Sequence, residues 1–386
     1  MDFDLTDEQV ALRDAIRQFA EAKIRPLAEQ MDQDDIFPPD LWPRLGGMGL
    51  LGIGVPEALG GSGGSLMNWV IAGEEVAACS SAVALSMGAH GNLCVWNLYR
   101  NGNQAQRERW LPELCAGTKV GSLCITEPDT GSDAVGIQTR AVRDGDDYLL
   151  TGTKTWITNA PIADLFIVYA KTDPEAGPRG ITAFVVERDT PGLSTSKPFD
   201  KMGCRGSPTG QVFFDGARVP AENVLGQVNR GINVLMSGLD VERAVFAALP
   251  LGQARRAMEL SLRYAKERSQ FGRPIANFQL IQAKLADMYT QTEAARLMVW
   301  KAGSMLGGME RGGKGTELHK LAAAALLFSA EAAEKVCYEA VQIHGGNGYS
   351  KEFEVNRLYR DVRLGTIGAG TSEIRRLIIA RELLGT

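Results

Sequence analysis

The spacing of apolar residues changes twice along the chain. Over residues 1–120, apolar positions recur every three or four residues, as on an amphipathic helix. DLTDEQVALRDAIRQFAEAKI opens with Thr6 and Gln9, a capping-box pair, and runs on as one such helix. The Pro- and Gly-rich pieces FPPD and VPEALGGSGGS interrupt the pattern before helices resume around MNWVIAGEEVAACSSAVALSM. Over residues 121–230 the runs shorten and fill with Val, Ile, Thr and aromatics: YLLTGTKTWIT, LFIVYAKT, GITAFVVERD and QVFFDGARVP. Asp-Gly pairs at 144–145 and 215–216 read as turns between them. No helical stretch intervenes, so these strands are expected to pair antiparallel. From residue 231 the helical period returns, over 232–268, 277–309 and 315–343, with a last helix at SEIRRLIIARELL. The pattern predicts an α+β multidomain chain: a helical domain over 1–120, a β domain over 121–230 and a helical domain over 231–386.

One position spoils the returning helical pattern. In 239-LDVERAVFAAL-249, residues Leu235, Leu239, Glu242, Phe246 and Leu249 share one stripe at 100° per residue. Asp240 and Arg243 point away from it. A carboxylate on the apolar face of a core helix is costly unless paired or protonated. Glu242 is therefore either a buried ion-pair partner or a functional acid–base group.

Composition narrows the possibilities. The chain has 386 residues, 45% of them hydrophobic, which is enough for more than one packed domain. Acids outnumber bases, 46 to 41, so nucleic acid or an anionic membrane is a poor partner. The longest apolar stretch, LAAAALLF at 321–328, is closely flanked by Lys320 and Glu331 and reads as a buried helix, with no membrane span. The start, MDFDLTDEQV, has the character of neither a signal peptide nor a presequence. Six cysteines lie far apart with no CxxC pair, as expected of core thiols in a reducing compartment, and the cytoplasm is the expected location. Three scattered histidines, 90, 319 and 344, make a metal site unexpected.

Two familiar spellings fail on context. Gly47-Met-Gly49-Leu-Leu-Gly52 matches GxGxxG, but a helix-like PPDLWPRL precedes it where a dinucleotide site needs a strand. Gly60-Gly-Ser62-Gly-Gly64 matches GxSxG inside a glycine-rich loop, not a strand-to-helix elbow.

Other segments are too polar or glycine-rich for their surroundings. LCITEPDTGSDAVG (123–136) opens from a strand into hydroxyls and carboxylates, and WIT (156–158) ends a strand. QIHGGNGYSKEFEVNRLYRDVRLGTIGAGTSEIRR (342–376) holds two glycine turns and a helix start at Thr371 or Ser372. Backbone N–H groups at such places suit phosphates and oxyanions. Together with ERSQFG at 267–272, these blocks resemble, in order and across essentially the whole chain, the acyl-CoA dehydrogenase family of flavoproteins.

The resemblance implies an N-terminal helical domain, a β-barrel-like middle domain and a C-terminal four-helix bundle, assembled as a homotetramer with one FAD per subunit. It implies FAD contacts from Leu123, Thr126, Ser132, Trp156, Ile157, Thr158, Thr371 and Glu373. Arg268, Gln270, Phe271, Gln279, Gln342, Gly345 and Gly346 would hold the adenine and diphosphate end of a neighbouring subunit's FAD. Ser132, Asp240, Arg243, Ala369 and Gly370 would meet the acyl-CoA substrate. His344 is expected to pack, not to react. Thr130 departs from the small residue usual in the family, which puts the local loop shape in question.

Most members carry a catalytic Glu just before the Gly-Thr of the last glycine turn. Here that position is Ala369. A minority have Ala or Gly there and a Glu within L-D-x-E-R on the opposing helix, which reads here Leu239-Asp240-Val241-Glu242-Arg243. The resemblance thus makes Glu242 the base that removes the α-proton while the β-hydrogen leaves as hydride to FAD. It places an oxyanion donor at the backbone N–H of Ala369 and names electron-transferring flavoprotein as the acceptor. Gly368 and Ala369 remove bulk beside the β-carbon, which implies a short branched acyl-CoA such as isovaleryl-CoA and a place in leucine degradation. Two alternatives stay open. Gly365-Thr366 departs from the Tyr-Glu common just ahead of the last glycine turn, NAPIADLFIVYAKT (159–172) resembles a segment of relatives that oxidise a prolyl group tethered to a carrier protein, and a non-catalytic acyl-CoA or FAD-binding protein is the reading from another class.

Overall fold

The computed structural model describes residues 4–305 and 316–385. The ends of the segments expected at 277–309 and 315–343 therefore lie partly outside the described residues. The N-terminal third is helical: α1 (Asp7–Phe19), α2 (Arg25–Asp34), α3 (Leu41–Gly47), α4 (Leu66–Cys79), α5 (Ser81–Gly88), α6 (Trp96–Asn101) and α7 (Gln104–Ala116). Thr6 and Gln9 form the expected capping box at the start of α1. Nearly every residue of α4 is buried, because it runs through the middle of the molecule and packs on the C-terminal helices as well as its own neighbours. Wider, π-type turns at Ala20–Ile24 and Ala89–Val95 were not foreseen; the first lies just ahead of Pro26, which has no N–H to continue the regular ladder.

The middle region forms one sheet from β1 (Gly121–Cys124), β2 (Arg140–Asp144), β3 (Asp147–Thr158), β4 (Leu165–Lys171), β5 (Ile181–Glu187), β6 (Leu193–Thr195), β7 (Thr209–Pro220) and β8 (Val224–Leu225). Its spatial order is β6-β7-β3-β2-β4-β5-β8, with β1 joined to β4. Most pairs are antiparallel, as expected, but β1 runs parallel to β4, and β2 meets β4 parallel at Arg140 and Lys171. The exception has a physical cause. β1 and β2 follow one another in the same direction along one edge of β4, at 165–168 and 171, with the loop 125–139 between them, and β3 supplies the return run that a parallel pair needs.

The two Asp-Gly pairs behave differently. Asp144-Gly145 closes the β2–β3 hairpin, whereas Asp215-Gly216 lies inside β7. There the register jumps from Phe214↔Gly152 to Ala217↔Leu150, so the pair forms a bulge, with Gly216 at φ +60°. Buried His90 fixes the seam between this sheet and the helices. Its Nδ1 accepts from Gly121 N at 2.8 Å, so Nε2–H donates to Leu114 O at 3.0 Å.

The C-terminal region comprises α8 (Gly231–Phe246), α9 (Ala248–Glu267), α10 (Gln279–Met305), α11 (Glu317–His344), α12 (Gly346–Tyr349), α13 (Glu354–Val362) and α14 (Ser372–Leu384). Two short strands, β9 (Ser269–Gln270) and β10 (Arg273–Pro274), form a hairpin after α9. The long helices α9, α10 and α11 pack on one another, and α8 and α14 close on α11. The single segment expected at 232–268 is two helices, parted at Ala247. Helix α13, inside the polar stretch after the glycine turn, was not anticipated. Val355, Leu358 and Val362 give it an apolar face at helical spacing.

Candidate active site

Glu242 lies on α8 with Val241 and Arg243 buried on either side. It retains a partial opening to solvent while protein atoms crowd around it. Desolvation pushes its carboxyl up to about 7, against the opposing pull of Arg243 and Arg375. The helix is buried more fully than its stripe suggests. Asp240 is 1% exposed, and its carboxylate accepts from Arg243 Nη1 at 3.1 Å and contacts His319 Nδ1 at 2.6 Å. Asp240 and Arg243 therefore face into the protein, because α11 closes over the side that the apolar stripe leaves unclaimed.

The segment 367–371 forms a tight turn before α14. Ala369 is held at φ +55° and Gly370 at φ +89°. Thr371 caps α14, its hydroxyl accepting from Ile374 N at 3.4 Å. A side chain on Gly368 would begin 3.4 Å from Phe246 Cζ, so glycine keeps the space between the turn and α8 open. Gly365 serves packing: a Cβ there would meet Ala330 Cβ at 3.3 Å. Thr366 is buried and accepts from Arg363 Nη1 at 2.8 Å.

A second group of residues lies where β3 meets the loop after β1. Thr155 N donates to Thr126 O at 2.9 Å, which ties the loop to the strand end. Trp156 stands 62% exposed at φ +57°, on a bulge where the β3–β7 register slips between Lys154 and Ile157. It leans on Phe199 at 4.9 Å. Thr158 is half-buried, while Ile157 turns its side chain into the core and offers the outside only backbone. Leu123 and Thr126 are half-buried and Ser132 is exposed. Thr130 is buried, pairs with Glu127 through two backbone hydrogen bonds of 3.0 Å, and sends its hydroxyl to Gly136 O. The larger residue at that position is thus tucked beneath the loop and pins it.

Beneath both segments lies an ion pair that sequence reasoning missed. Lys154 Nζ, fully buried, donates to Glu127 Oε1 at 2.7 Å and to Ile125 O at 3.0 Å. Glu127 also accepts from Gln138 N and Thr139 N, at 2.5 and 3.0 Å. The alternating burial of β3 is broken by a buried pair at this bulge, and strand alternation alone gives no sign of it.

A third group lies at the far end of α9. Arg268 ends that helix, roughly 30 Å along its axis from its start beside Phe246. Gln270, Phe271, Gln279, Gln342, Gly345 and Gly346 are all exposed, Phe271 at 93%. Tyr264 and His344 stack at 4.2 Å and hold the end of α11 to α9. His344 Nδ1 bonds Ala340 O at 2.7 Å, so the ring is packed, as expected. The expected residues thus form three places, not one.

Family models match all three regions: the acyl-CoA dehydrogenase N-terminal domain over residues 6–118, the middle domain over 122–217 and the C-terminal domain over 229–384. The chain belongs to the acyl-CoA dehydrogenase family. It is 46% identical to a mitochondrial isovaleryl-CoA dehydrogenase of Solanum tuberosum, covering 98% of this chain and 90% of that one. A 2-methylacyl-CoA dehydrogenase of the same plant is 44% identical, over 98% and 91%. Among solved structures, butyryl-CoA dehydrogenase from Megasphaera elsdenii superposes with a TM-score of 0.94 at 39% identity, over the whole of both chains. A prolyl acyl carrier protein oxidase, AnaB, superposes at 0.93 with 34% identity, over 99% and 100%. A glutaryl-CoA dehydrogenase of Mycobacterium smegmatis in complex with FADH2 does so at 0.93 with 30% identity, over 99% and 96%.

As an acyl-CoA dehydrogenase, the chain is an oxidoreductase, and its residues fit a flavin. Trp156, Phe271 and Ala369 are three of seven described non-glycine residues at positive φ. That conformation costs an alanine or an aromatic about 1 kcal/mol or more, and such strain gathers at functional sites. The exposed indole beside a polar loop offers a stacking face, and the capped start of α14 offers N–H donors, both of which a flavin dinucleotide needs.

Proposed function

We propose that this acyl-CoA dehydrogenase removes the α-proton of a short branched acyl-CoA, isovaleryl-CoA in type, with Glu242 as base. The observation that carries the reading is the pairing of Ala369, which has no acid of its own, with a carboxyl on the opposing helix raised to about 7. A base poised near neutral pH, in a nearly dry site, has the proton affinity that a weakly acidic C–H demands. The Ala369 N–H, fixed by the strained turn, would donate to the thioester oxygen as negative charge builds there. Gly368 and Ala369 would leave room for a branch facing Phe246. Trp156 and Thr158 would bound the flavin ring, Thr126 and Ser132 its loop side, and Thr371 and Glu373 its phosphate side. FAD, when bound, supplies the hydride acceptor.

The group around Arg268 and Gln342 would serve a second copy of the chain, since α9 carries it away from Glu242. Exposed Leu280, Tyr289 and Leu297 on α10 and Leu377 on α14 support a homotetramer built on these helices. Electron-transferring flavoprotein is the acceptor this reading implies. Six free, buried cysteines favour a reducing compartment such as the cytoplasm.

The experiment is anaerobic flavin bleaching with a panel of acyl-CoAs. Rapid bleaching by isovaleryl-CoA is expected, slower bleaching by 2-methylbutanoyl-CoA, and still slower by straight chains. Bleaching only by a carrier-bound acyl group would move the substrate to that class. A yellow protein that no thioester bleaches would make it a binding protein.

A further inference from the structure

Arg375 is fully buried on the inner face of α14. Its Nη2 donates to Gly368 O, within the turn that presents Ala369. Its Nε and Nη1 have no partner, and among the described residues it makes no salt bridge. A buried guanidinium with idle donors is costly, so a nearby counter-charge is needed to retain it. Desolvation and the repulsion of Arg243 weaken its hold on its proton, to about 10, while Glu242 strengthens it.

Three carboxylates surround this cation. Glu331 is engaged by Arg376 at 2.7 Å, and Glu373 is exposed on the outer side of α14. Only Glu242 is crowded by protein and without a hydrogen bond of its own among the described residues. Among the described residues, the other charged or titratable groups near Glu242 are Arg243 and Asp240 on α8 and Tyr169 on β4, while His319 on α11 contacts Asp240. Arg243 gives a hydrogen bond to Asp240, whereas Arg375 gives none to any carboxylate.

We infer that Arg375 is a positioning residue: it holds the Ala369 turn through the Gly368 carbonyl and adds to the field of Arg243 the positive charge that keeps Glu242 ionised often enough to act as a base. The inference rests on Glu242 being that base. Burial by itself favours the protonated acid, which cannot accept a proton. One guanidinium thus couples the base to the turn that would carry the oxyanion donor, its own hydrogen bond going to Gly368 O.

The test titrates Glu242 in the resting yellow holoprotein by infrared difference spectroscopy, with Glu242→Gln as blank. In Arg375→Met the carboxyl titration should move up by roughly one pH unit or more, with Arg375→Lys recovering most of it. The rise of the bleaching rate with pH should move by the same amount while flavin content stays constant. Arg375→Gln removes the charge yet can still reach Gly368, and serves if the methionine variant fails to fold. An unshifted titration in the charge-free variant overturns the inference. Undiminished bleaching by Glu242→Gln would instead overturn the assignment of the base.

Discussion

Glu127 and Glu242 are both glutamates withdrawn from water, and the protein treats them in opposite ways. Glu127 accepts from Lys154 Nζ and two backbone N–H groups. Desolvation would raise its carboxyl, but Lys154 and these donors outweigh it and hold the group below its ordinary range. Glu242 has no hydrogen bond among the described residues, only the fields of Arg243 and Arg375, and is raised to about 7. A structural carboxylate is given every partner it can use. One that must exchange a proton is given a field and no bond.

The sharpest way to break this contrast is to remove each acid. In Glu242→Gln, flavin bleaching by isovaleryl-CoA should slow by roughly 10²- to 10⁴-fold or more, the usual share of a general base. Stopped-flow absorbance checks it, and a loss below tenfold would return Glu242 to a packing role. On the other side, Lys154→Met leaves Glu127 charged and buried without its main partner. That should cost about 3–5 kcal/mol in denaturant unfolding and loosen the loop bearing Thr126 and Ser132, so the protein purifies pale. Adding Glu127→Gln to that variant should recover part of the loss, whereas additive losses would deny that the two act as a pair.

The pH dependence of stability separates the two acids more finely. Glu242 has a raised carboxyl, so the unfolded chain ionises before the folded one. Wild type should therefore lose stability relative to Glu242→Gln as pH climbs from the ordinary carboxylate range to about 7, then run parallel to it. The accumulated difference should be about 3 kcal/mol. Glu127 carries the opposite sign: its contribution is present above the ordinary carboxylate range and fades as pH falls. Thermal melts of the two Gln variants should diverge from wild type in opposite directions, Glu242→Gln between about pH 4 and 7 and Glu127→Gln below about pH 4.5, and curves parallel throughout would refute both assignments.

The two glutamates were not equally visible in the sequence. Glu242 stood out because a helix repeats every 3.6 residues and an acid on its apolar stripe breaks the rule. Glu127 sits in a loop, which has no period to break, and its partner is 27 positions away on a strand whose alternation slips at a bulge. The helical, β, helical order and the longest helices and strands followed from spacing alone. The parallel β1–β4 pair, the bulge at Asp215-Gly216 and the break at Ala247 did not, since each is decided by tertiary packing. The positive φ of Trp156, Phe271 and Ala369 was equally hidden, because no local preference asks for it. Arg375 was hidden for another reason. In a charged IRR run every arginine looks like surface, and only the turn docking on α14 selects the one that is buried.

Tyr169 gives the smallest effect and the finest discrimination. Its hydroxyl is buried without a partner on β4, and burial, together with the nearby Cys94 and Glu242, makes it much harder to ionise. If a site that moves protons is kept short of hydrogen bonds, Tyr169 shares in that shortage and gives nothing to the fold. Tyr169→Phe would then delete an unsatisfied polar atom and keep the ring, raising unfolding stability by up to about 1 kcal/mol. The bleaching rate should stay within about twofold, since the hydroxyl is neutral across the working range. A loss of stability would mean that the hydroxyl is bonded in solution, and Glu242 would be its nearest acidic candidate. The base would then hold a bond after all, and the distinction from Glu127 would become one of degree.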